Sequence, residues 1–485
     1  MKISDQALLR NQAYIDGRWC DADSGETLAV LNPANGSVVA EVAKCGTAET
    51  RRAIEAAERA QGEWRQATAK ERSAILRKWL ELMLAAQEDL AQIMTAEQGK
   101  PLAESRGEIV YGASYIEWFA EEAKRIYGDT IPQPSNDKRI VVIKQPVGVV
   151  ACITPWNFPN AMLARKIAPA LAAGCTVVCK PANETPLSAL AMAELAERAG
   201  VPAGVINIVA GKTSEIGAEL TSNPIVRKLT FTGSTEVGKL LVEQCAATMK
   251  RTSMELGGNA PFIVFDDADL DEAVKGAIIC KFRNAGQTCV CANRILVQDG
   301  VYDEFADKLA AAMKKLKMGD GTEEGVEIGP LINQKAANDV LEFVGDAVAQ
   351  GAQVAAGGKR SSLGECFIEP TLLTNVSDDM RVFREEIFGP VAPLFRFRDE
   401  ADVIAMANDT EFGLASYFYA RDLGRVWRVA EALEYGIVGI NTGIISNETA
   451  PFGGMKESGQ GREGSKYGLD DYLEIKYMCL GGIDA

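Results

Sequence analysis

Strand and helix patterns alternate regularly through the middle of the chain. The β-branched segment TVVCK follows the helical run LARKIAPALAAG, and GVINIV follows the helical run LSALAMAELAERAG. A polar helix then leads to KLTFTG. Because parallel strands are joined by helical crossovers, this order predicts an α/β fold with a doubly wound parallel sheet.

The flanking segments predict further elements. Residues 47–126 carry apolar residues at three- and four-residue spacing, so we expect mainly helices there. The segment RIVVIKQPVGVVACI (139–153) predicts a short strand pair. A second alternating block begins with APFIVF and RILVQ and includes predicted helices at 301–318 and 334–350. At 485 residues the chain is too long for one ordinary core, and we place a domain boundary near Gly257–Gly258.

The charge and hydropathy of the chain limit its partners. A formal net charge of −16 argues against a nucleic acid or an anionic membrane, since both are bound through clustered Lys and Arg. The most apolar region, 161–179, is interrupted by Arg165 and Lys166, so no membrane span is expected. No apolar run follows Lys2, so we expect no signal peptide and a cytoplasmic location.

The counts of cysteine and histidine restrict the chemistry. Eleven scattered cysteines are typical of reduced cytosolic thiols, and they do not suggest a disulfide framework. The chain has no histidine, which excludes Ser-His, Cys-His and His-ligated metal mechanisms. Any general base must be a carboxylate, a lysine, a tyrosine or a thiolate, and glutamate is the leading candidate.

A glycine turn opens a helix in KLTFTGSTEVGKLL. Gly233, Ser234 and Gly238 follow a buried strand pattern, so backbone N–H groups and the helix dipole can face a phosphate. The spacing resembles GxGxxG, although Thr235 stands at the middle position. A simple turn before a helix explains the same residues.

One cysteine stands apart from the others. Cys289 lies in the polar, glycine-containing segment FRNAGQTCVCANR, where its thiol is expected to be accessible. A metal site with Cys291 is disfavoured, because the spacing is C-x-C and no second close pair follows. We interpret Cys289 as a nucleophile, which still requires a partner. The cysteines expected in the core are Cys152, Cys175, Cys179 and Cys280.

Two further segments offer partners for this thiol. In MELGGNAPFIV, Glu255 precedes a Gly-Gly pair that lets a substrate or cofactor approach closely, and it is a candidate general base. In TPWNFP, Asn157 carries an amide that could stabilise an oxyanion. A solvated turn glutamate and an Asx-turn between prolines are the alternative interpretations.

Taken together, these motifs resemble the aldehyde dehydrogenase superfamily. The resemblance covers residues from about 10 to 480 and rests on PWNFP, CKPANETP, FTGSTEVG, ELGG, GQTC, EEIFGP and PFGG in that order. The segments FRNAGQTCVCANR, NTGIISNETAPFGG and GREGSKYGLDDYLEIKYM are similar to succinate-semialdehyde dehydrogenases, and also to glutarate-semialdehyde dehydrogenases.

The resemblance implies a domain organisation. We expect a Rossmann-like cofactor domain (1–127 and 148–256) and a second α/β catalytic domain (257–450). A small β oligomerisation element would comprise 128–147 and 451–485, with a hairpin and a C-terminal strand near 471–479. The implied assembly is a homo-oligomer, either a dimer or a tetramer.

The resemblance also implies catalytic roles. Cys289 would be the nucleophile that forms a thiohemiacetal, and Glu255 the base that activates water to hydrolyse the thioester. Asn157 and the backbone N–H of Cys289 would form the oxyanion hole. Lys166 and Glu463 fall on positions linked to proton movement. The base Glu255 favours hydrolysis over acyl transfer by a phosphorylating or CoA-acylating relative. The presence of both Cys289 and Glu255 argues against a non-catalytic member of the fold.

Family positions predict a dinucleotide site without a metal. The pyrophosphate would lie at Ser234 and Trp156, the nicotinamide ribose on Glu386 near Phe388, and the adenine ribose on Lys180. NAD-preferring members often carry a glutamate where this chain has Asn183, so we expect NADP, with NAD as an alternative if the adjacent Glu184 substitutes. The full predicted cofactor set is Thr154, Pro155, Trp156, Lys180, Ala182, Asn183, Gly233, Ser234, Leu256, Glu386 and Phe388.

Two arginines predict the substrate class. Arg165 and Arg283 fall on family positions lining the aldehyde tunnel, where two guanidinium groups would clamp a distal carboxylate. Ser446, or its neighbour Asn447, would add a polar contact. The predicted substrate is an ω-semialdehyde, succinate semialdehyde first and glutarate semialdehyde as the alternative. Cys291 is either an idle thiol or a partner that closes a reversible disulfide with Cys289 under oxidation.

Overall fold

The computed structural model describes residues 1–483, which form twenty strands and fourteen α-helices. The strands are β1 (Ala13–Ile15), β2 (Arg18–Cys20), β3 (Thr27–Leu31), β4 (Val38–Ala43), β5 (Asp129–Ile131), β6 (Arg139–Pro146), β7 (Val149–Ile153), β8 (Thr176–Lys180), β9 (Ile206–Ile208), β10 (Val226–Thr232), β11 (Arg251–Glu255), β12 (Ala260–Val264), β13 (Ala292–Gln298), β14 (Gln353–Ala356), β15 (Thr371–Thr374), β16 (Val391–Phe397), β17 (Ala415–Tyr419), β18 (Ile437–Ile440), β19 (Gly459–Gln460) and β20 (Leu473–Leu480). The helices are α1 (Thr47–Trp64), α2 (Ala69–Ala85), α3 (Gln87–Gln98), α4 (Leu102–Glu122), α5 (Ala161–Ala173), α6 (Pro186–Ala199), α7 (Thr213–Ser222), α8 (Thr235–Ala246), α9 (Leu270–Phe282), α10 (Tyr302–Met313), α11 (Gln334–Ala349), α12 (Arg381–Arg384), α13 (Glu400–Asn408) and α14 (Leu423–Ala432).

The first sheet has the order β19-β11-β10-β7-β8-β9-β1-β2. Its five central strands are parallel, and α5, α6, α7 and α8 connect them one after another. The predicted doubly wound α/β fold is therefore confirmed. The strand order reverses between β7 and β10, and ligands of such sheets bind at the carboxyl ends of strands at this reversal.

The second sheet has the order β14-β15-β16-β13-β12-β17-β18 and is parallel except for β14. It has a hydrophobic core of its own, which includes Phe262, Leu296 and Phe395. The helix predicted at 301–318 was too long: α10 ends at Met313, because the following residues turn and Met318 forms a bridge with Ile328.

A third sheet, β20-β6-β5, is antiparallel. The strands predicted as a pair, β6 and β7, are not paired with each other: Gly148, with φ of +120°, separates them and they enter different sheets. The C-terminal strand covers Leu473–Leu480. The domain boundaries stay a prediction, and residues 484–485 of the predicted oligomerisation element lie outside the described residues.

Helix α5 crosses the interior of the first domain, and all thirteen of its residues are buried. Its N-terminal backbone N–H groups at Asn160 and Ala161 donate to Glu108 Oε1 at 2.9 and 3.1 Å. The helix also carries Arg165 and Lys166 into the core, where buried cations require partners. Within residues 1–483, no helix combines the length and the apolar character needed to cross a membrane.

Candidate active site

A cavity of about 260 Å³ opens at the strand reversal of the first sheet and faces the second domain. Loops that follow β7, β10 and β11 form one wall, and the segment before β13 forms another. The predicted residues that line it are Pro155, Trp156, Asn157, Arg165, Gly233, Ser234, Leu256, Arg283, Cys289, Glu386, Phe388 and Ser446. The predicted residues outside its lining are Thr154, Lys166, Lys180, Ala182, Asn183, Glu255, Cys291 and Glu463.

Cys289 is half-buried and exposes its side chain to this cavity. Burial raises the pKa of its thiol to about 12; the Glu386 and Glu255 carboxylates add to this effect, while Arg165 and Arg283 oppose it. A Cβ at Gly258 would lie 2.4 Å from the Cys289 carbonyl oxygen. The lack of a side chain at Gly258 therefore permits the close approach of the Cys289 backbone.

Asn157 is buried in the loop after β7 and reaches across to the loop that carries the thiol. Its Nδ2 donates to the carbonyl oxygen of Gln287 at 2.9 Å. Its Oδ1 has no hydrogen-bond partner among residues 1–483. An amide nitrogen has two N–H groups, so the second is free to face the cavity.

Glu255 ends β11 in a buried position beside Gly453. Burial raises its pKa well above the usual value, and the Glu463 carboxylate adds to this, while Arg165, Lys166 and Arg462 oppose it. Its Oε2 has no hydrogen-bond partner in the described residues. A buried carboxyl group with a raised pKa is suited to proton transfer near neutral pH.

A buried ion cluster lies next to the cavity. Glu463 Oε1 is 2.6 Å from Lys166 Nζ, and Glu463 Oε2 is 2.7 Å from Arg165 Nη2, although that second contact is an ion pair without hydrogen-bond geometry. Burial opposes ionisation of Glu463, but Lys166 and Arg165 hold its pKa below the usual range. Lys166 Nζ also donates to Thr230 Oγ1 at 3.2 Å. Two cations therefore surround one anion beside the thiol.

The two predicted clamp arginines differ in their surroundings. Arg165 is 1% exposed, is paired with Glu463, and its guanidinium carbon lies 4.0 Å from the Phe452 ring centroid. Arg283 is partly exposed, and its guanidinium lies 5.3 Å from the Phe158 ring centroid. In the described part of the chain, no carboxylate oxygen lies within 4.0 Å of the Arg283 nitrogens. Arg283 is therefore the better-placed free cation of the two.

Ser446 lines the cavity, whereas Asn447 does not. Asn447 Oδ1 instead accepts hydrogen bonds from the backbone of Thr449 and Ala450, each at 3.0 Å. This turn uses the Asn447 side chain locally, so Ser446 is the one that can meet a ligand.

The cavity wall at the helix N-terminus fits a dinucleotide. Ser234 caps α8, and a Cβ at Gly238 would lie 2.4 Å from Leu256, so glycine permits close packing here. The buried Thr232 Oγ1, also on this wall, is unpaired within residues 1–483. Glu386 Oε1 accepts from Gly258 N at 3.0 Å, and burial raises its pKa to about 8.

Aromatic rings form the adjoining surface: Trp156 and Phe388 stack edge to face with centroids 5.6 Å apart. A phosphate at the helix N-terminus and a ribose hydroxyl on Glu386 match these groups. No set of three or more His, Cys, Asp or Glu side chains in residues 1–483 is arranged to hold a metal ion.

The predicted adenosine residues lie outside the cavity lining, at the end of β8 and in the loop that follows it. Burial lowers the pKa of Lys180 to about 8, with Glu184 opposing, and its Nζ donates to Pro181 O at 3.2 Å. The Asn183 amide is bound at both ends to Gly211: Nδ2 donates to the carbonyl at 2.8 Å and Oδ1 accepts from the N–H at 3.2 Å. Asn183 therefore ties its loop to the segment after β9.

Sequence reasoning missed part of the apolar wall. Tyr111, Met162 and Phe452 line the cavity together with Phe158, which lies within the PWNFP motif. Tyr111 comes from α4, far from any motif, so the sequence carried no signal for it. Cys291 points elsewhere: its Sγ lies 3.4 Å from Lys281 O, and the disulfide with Cys289 stays a prediction.

This fold, with a thiol and a wall suited to binding a dinucleotide in one cavity, is characteristic of cofactor-dependent oxidoreductases. The model of the aldehyde dehydrogenase family matches residues 19–478. The chain belongs to that family and is an NAD(P)-dependent aldehyde dehydrogenase, which confirms the resemblance seen in the sequence.

Named relatives cover essentially the whole chain. It is 67% identical over 481 residues to the succinate-semialdehyde dehydrogenase (NADP(+)) GabD of Escherichia coli, covering 99% of this chain and 100% of that one. It is 66% identical over 483 residues to a glutarate-semialdehyde dehydrogenase of Pseudomonas aeruginosa, covering 100% of both. The crystal structure of an E. coli NADP-dependent enzyme matches with a TM-score of 0.98 at 67% identity, covering 99% of this chain and 100% of that chain.

The raised pKa of Cys289 gives a test. Because the thiolate is the reactive form, we expect the rate of iodoacetamide alkylation at Cys289 in the cofactor-free protein to rise continuously between pH 7 and 10. Peptide mass spectrometry measures the rate at this site, with Cys289→Ser as the control for labelling elsewhere. A rate that levels off as the pH reaches 10 would contradict the raised pKa, since an ordinary thiol with a pKa of about 8.5 is almost fully ionised there.

Proposed function

We propose that the protein oxidises succinate semialdehyde to succinate with NADP. An aldehyde, oxidised cofactor and water would give a carboxylate, reduced cofactor and protons. One observation carries the proposal. The Cys289 thiol, the Asn157 amide and the unpaired Arg283 guanidinium line one cavity, beside the wall suited to binding a dinucleotide. The named relatives act on the same class of substrate, an aldehyde with a distal carboxylate.

The chemistry begins at the thiol. With a pKa near 12, the Cys289 thiol is almost fully protonated at neutral pH, so its attack on a carbonyl needs a proton acceptor. The raised pKa of Glu255 brings its basicity closer to that of the thiol than an ordinary carboxylate would be. When the carbon–sulfur bond forms, the carbonyl oxygen becomes an oxyanion that accepts from Asn157 Nδ2 and the Cys289 N–H.

Glu255 acts again at the thioester. It takes a proton from water, the hydroxide adds to the thioester carbon, and the carbon–sulfur bond breaks to release the carboxylate and the Cys289 thiolate. The Lys166–Glu463 pair lies next to Glu255, and the Glu463 carboxylate raises the pKa of Glu255 and so makes it a stronger base; we assign the pair this contribution to proton movement. A water-activating base of this kind favours hydrolysis over transfer to phosphate or CoA.

The cofactor proposal rests on the cavity wall at the N-terminus of α8 and on the loop that follows Lys180. Bound NADP would supply the hydride acceptor, with Ser234 and Trp156 at its phosphates and Glu386 at a ribose. Near Lys180, the neutral Asn183 places no carboxylate at the position where a glutamate would repel a 2′-phosphate, and the adjacent Glu184 carboxylate is exposed. The remaining members of the predicted set, Thr154, Pro155, Ala182, Gly233, Leu256 and Phe388, complete the proposed site.

The substrate proposal depends on Arg283. Its unpaired guanidinium can bind a carboxylate through two hydrogen bonds, and Ser446 can add a third. Arg165 is paired with Glu463, whose carboxylate it shares with Lys166, so we assign the direct contact with the substrate to Arg283 and a supporting positive charge at the cavity to Arg165. Glutarate semialdehyde is the second candidate, because a relative with that name is 66% identical.

The assembly proposal rests on the third sheet. Ile475 and Tyr477 of β20 are 71% and 61% exposed, which is unusual for apolar side chains on a strand. We propose a homo-oligomer formed through β5, β6 and β20.

Nucleophile and base can be separated by their kinetics. We expect Cys289→Ser to lower kcat by on the order of 10⁴-fold or more. Glu255→Gln should lower kcat by about 10²–10⁴-fold and slow the burst of one equivalent of reduced cofactor per site as well, because both thiol deprotonation and thioester hydrolysis lose their base. The exposed Glu243→Gln serves as the matched control in stopped-flow assays. Turnover by Cys289→Ser close to that of the parent would overturn the proposal.

The proposed contact between Arg283 and the substrate carboxylate predicts that an Arg283 variant loses affinity only for aldehydes that carry a carboxylate. Replacing Arg283 by Ala should raise KM for succinate semialdehyde about 10- to 100-fold, since a hydrogen bond to a charged group is lost. KM for butanal, which has no carboxylate, should be nearly unchanged. Arg283→Lys retains the charge but not the planar fork and should show a partial loss. Equal losses on both aldehydes would refute the contact.

Cofactor preference can be reversed at one position. Asn183→Glu should lower kcat/KM for NADP by about tenfold or more relative to NAD, because a carboxylate repels the 2′-phosphate. Asn183→Gln is the neutral control of equal size. Steady-state assays with both cofactors decide the matter, and a strong NAD preference of the parent protein would contradict the NADP assignment.

A further inference from the structure

Two buried donors converge on the backbone carbonyl of Asn157. Lys100 Nζ lies 2.6 Å from this oxygen, and Asn284 Nδ2 lies 3.0 Å from it. Lys100 is also paired with Glu108 at 2.6 Å, and all four residues are buried. A carbonyl oxygen has two lone pairs, and here both are used by residues from outside its own loop.

A chain of hydrogen-bonded amides determines which atom of the Asn284 side chain faces the Asn157 carbonyl. The backbone N–H of Lys100 donates to Gln98 Oε1 at 2.9 Å, and Gln98 Nε2 donates to Asn284 Oδ1 at 3.0 Å. A backbone N–H can only donate, so the orientation of Gln98 is determined, and through it that of Asn284. Asn284 therefore presents Nδ2, and not Oδ1, to the Asn157 carbonyl.

The backbone at Asn284 is held in an uncommon conformation. Asn284, Ala285 and Gly286 all have left-handed φ angles, of 51°, 53° and 78°. Such angles are costly for alanine and persist only where the surroundings enforce them. Here the Asn284 N–H donates to Glu104 Oε2 at 2.8 Å. This turn comes directly before the loop that carries Cys289.

The turn and the Asn157 loop are linked in both directions. Asn284 Nδ2 donates to the Asn157 carbonyl, and Asn157 Nδ2 donates to the Gln287 carbonyl. Gln287 in turn donates its backbone N–H to Asn284 O at 3.0 Å. Two hydrogen bonds thus join Asn157 to the turn that ends two residues before Cys289, and the third holds the turn itself together.

We infer that Gln98 and Asn284 are positioning residues, which set the placement of the Asn157 amide relative to Cys289 so that it can stabilise the oxyanion. This inference rests on the roles proposed above for Cys289 and Asn157. Oxyanion stabilisation depends on donors already in place before charge develops, and small displacements of such groups are costly in rate. Neither positioning residue lines the cavity or touches the substrate.

Replacing Asn284 by glycine isolates this role. Glycine accepts the left-handed φ without strain, so the turn can persist while the donor to Asn157 is lost. The bonds of the Asn284 side chain to Gln287 O and Gln98 Nε2 are lost as well, but only the bond to Asn157 holds the loop of the oxyanion donor. We expect kcat to fall roughly 5- to 10-fold, the effect of that one net hydrogen bond, with KM for the aldehyde and the Kd for NADP unchanged. Gln98→Met should give a smaller loss in the same direction.

Asn375→Gly is a control for removing an asparagine side chain at a left-handed position. Asn375 has a φ of 55°, and its Nδ2 donates to the Gly351 carbonyl at 3.0 Å, but it is exposed and does not line the cavity. We expect this variant to leave kcat unchanged and to lower Tm less than Asn284→Gly, because the buried Asn284 side chain makes more hydrogen bonds. Equal kcat for the two glycine variants would overturn the inference.

A double-mutant cycle with Asn157→Ala tests whether Asn284 acts through Asn157. Asn157→Ala alone should lower kcat by about 10²–10³-fold, and adding Asn284→Gly should then cause no further loss. A full additional loss would mean an independent structural role and would overturn the inference. If Asn157→Ala itself leaves kcat intact, the proposed oxyanion hole is absent and this inference falls with it. If Asn157→Ala lowers kcat strongly but Asn284→Gly leaves kcat unchanged, only the positioning role is rejected.

Discussion

The reversal of strand order between β7 and β10 is the constraint from which the site follows. Crossovers on the two sides of the reversal leave in opposite directions, so the loops at the carboxyl ends of these strands separate and leave a crevice. The loop after β7 carries Asn157, and the turn after β10 carries Ser234. The second domain closes the crevice with the segment before β13, which brings Cys289 to the same cavity.

Burial gives the groups around this cavity their chemical properties. It raises the pKa of Cys289, Glu255 and Glu386, because each charged form loses hydration. Glu463 behaves in the opposite way: Lys166 and Arg165 lie within ion-pair distance and hold its pKa down. Carboxyl groups around one cavity thus differ in pKa, which is raised at Glu255 and Glu386 and lowered at Glu463.

The sequence predicted the α/β class and the alternation of elements from 163 onward, since both depend on local periodicity. It did not predict the end of α10, which is set by the bridge between Met318 and Ile328, or the separation of β6 from β7 into different sheets. For the site, the motifs named many residues of the cavity wall, but not Tyr111 or Met162, and not the partners of the residues they named. Arg165 and Arg283 looked equivalent in the sequence, and only the contact with Glu463 distinguishes them.

The sequence alone determined the absence of histidine, the candidate thiol in its polar segment, and the family, because motif order and residue type are properties of the chain itself. The tertiary structure decided which side chains meet. Gln98 and Asn284 are separated by 186 positions, and Lys166 and Glu463 by 297. Such contacts depend on how the two sheets and α5 pack, which no local pattern encodes, so the burial and pairing that govern reactivity become visible only in the folded chain.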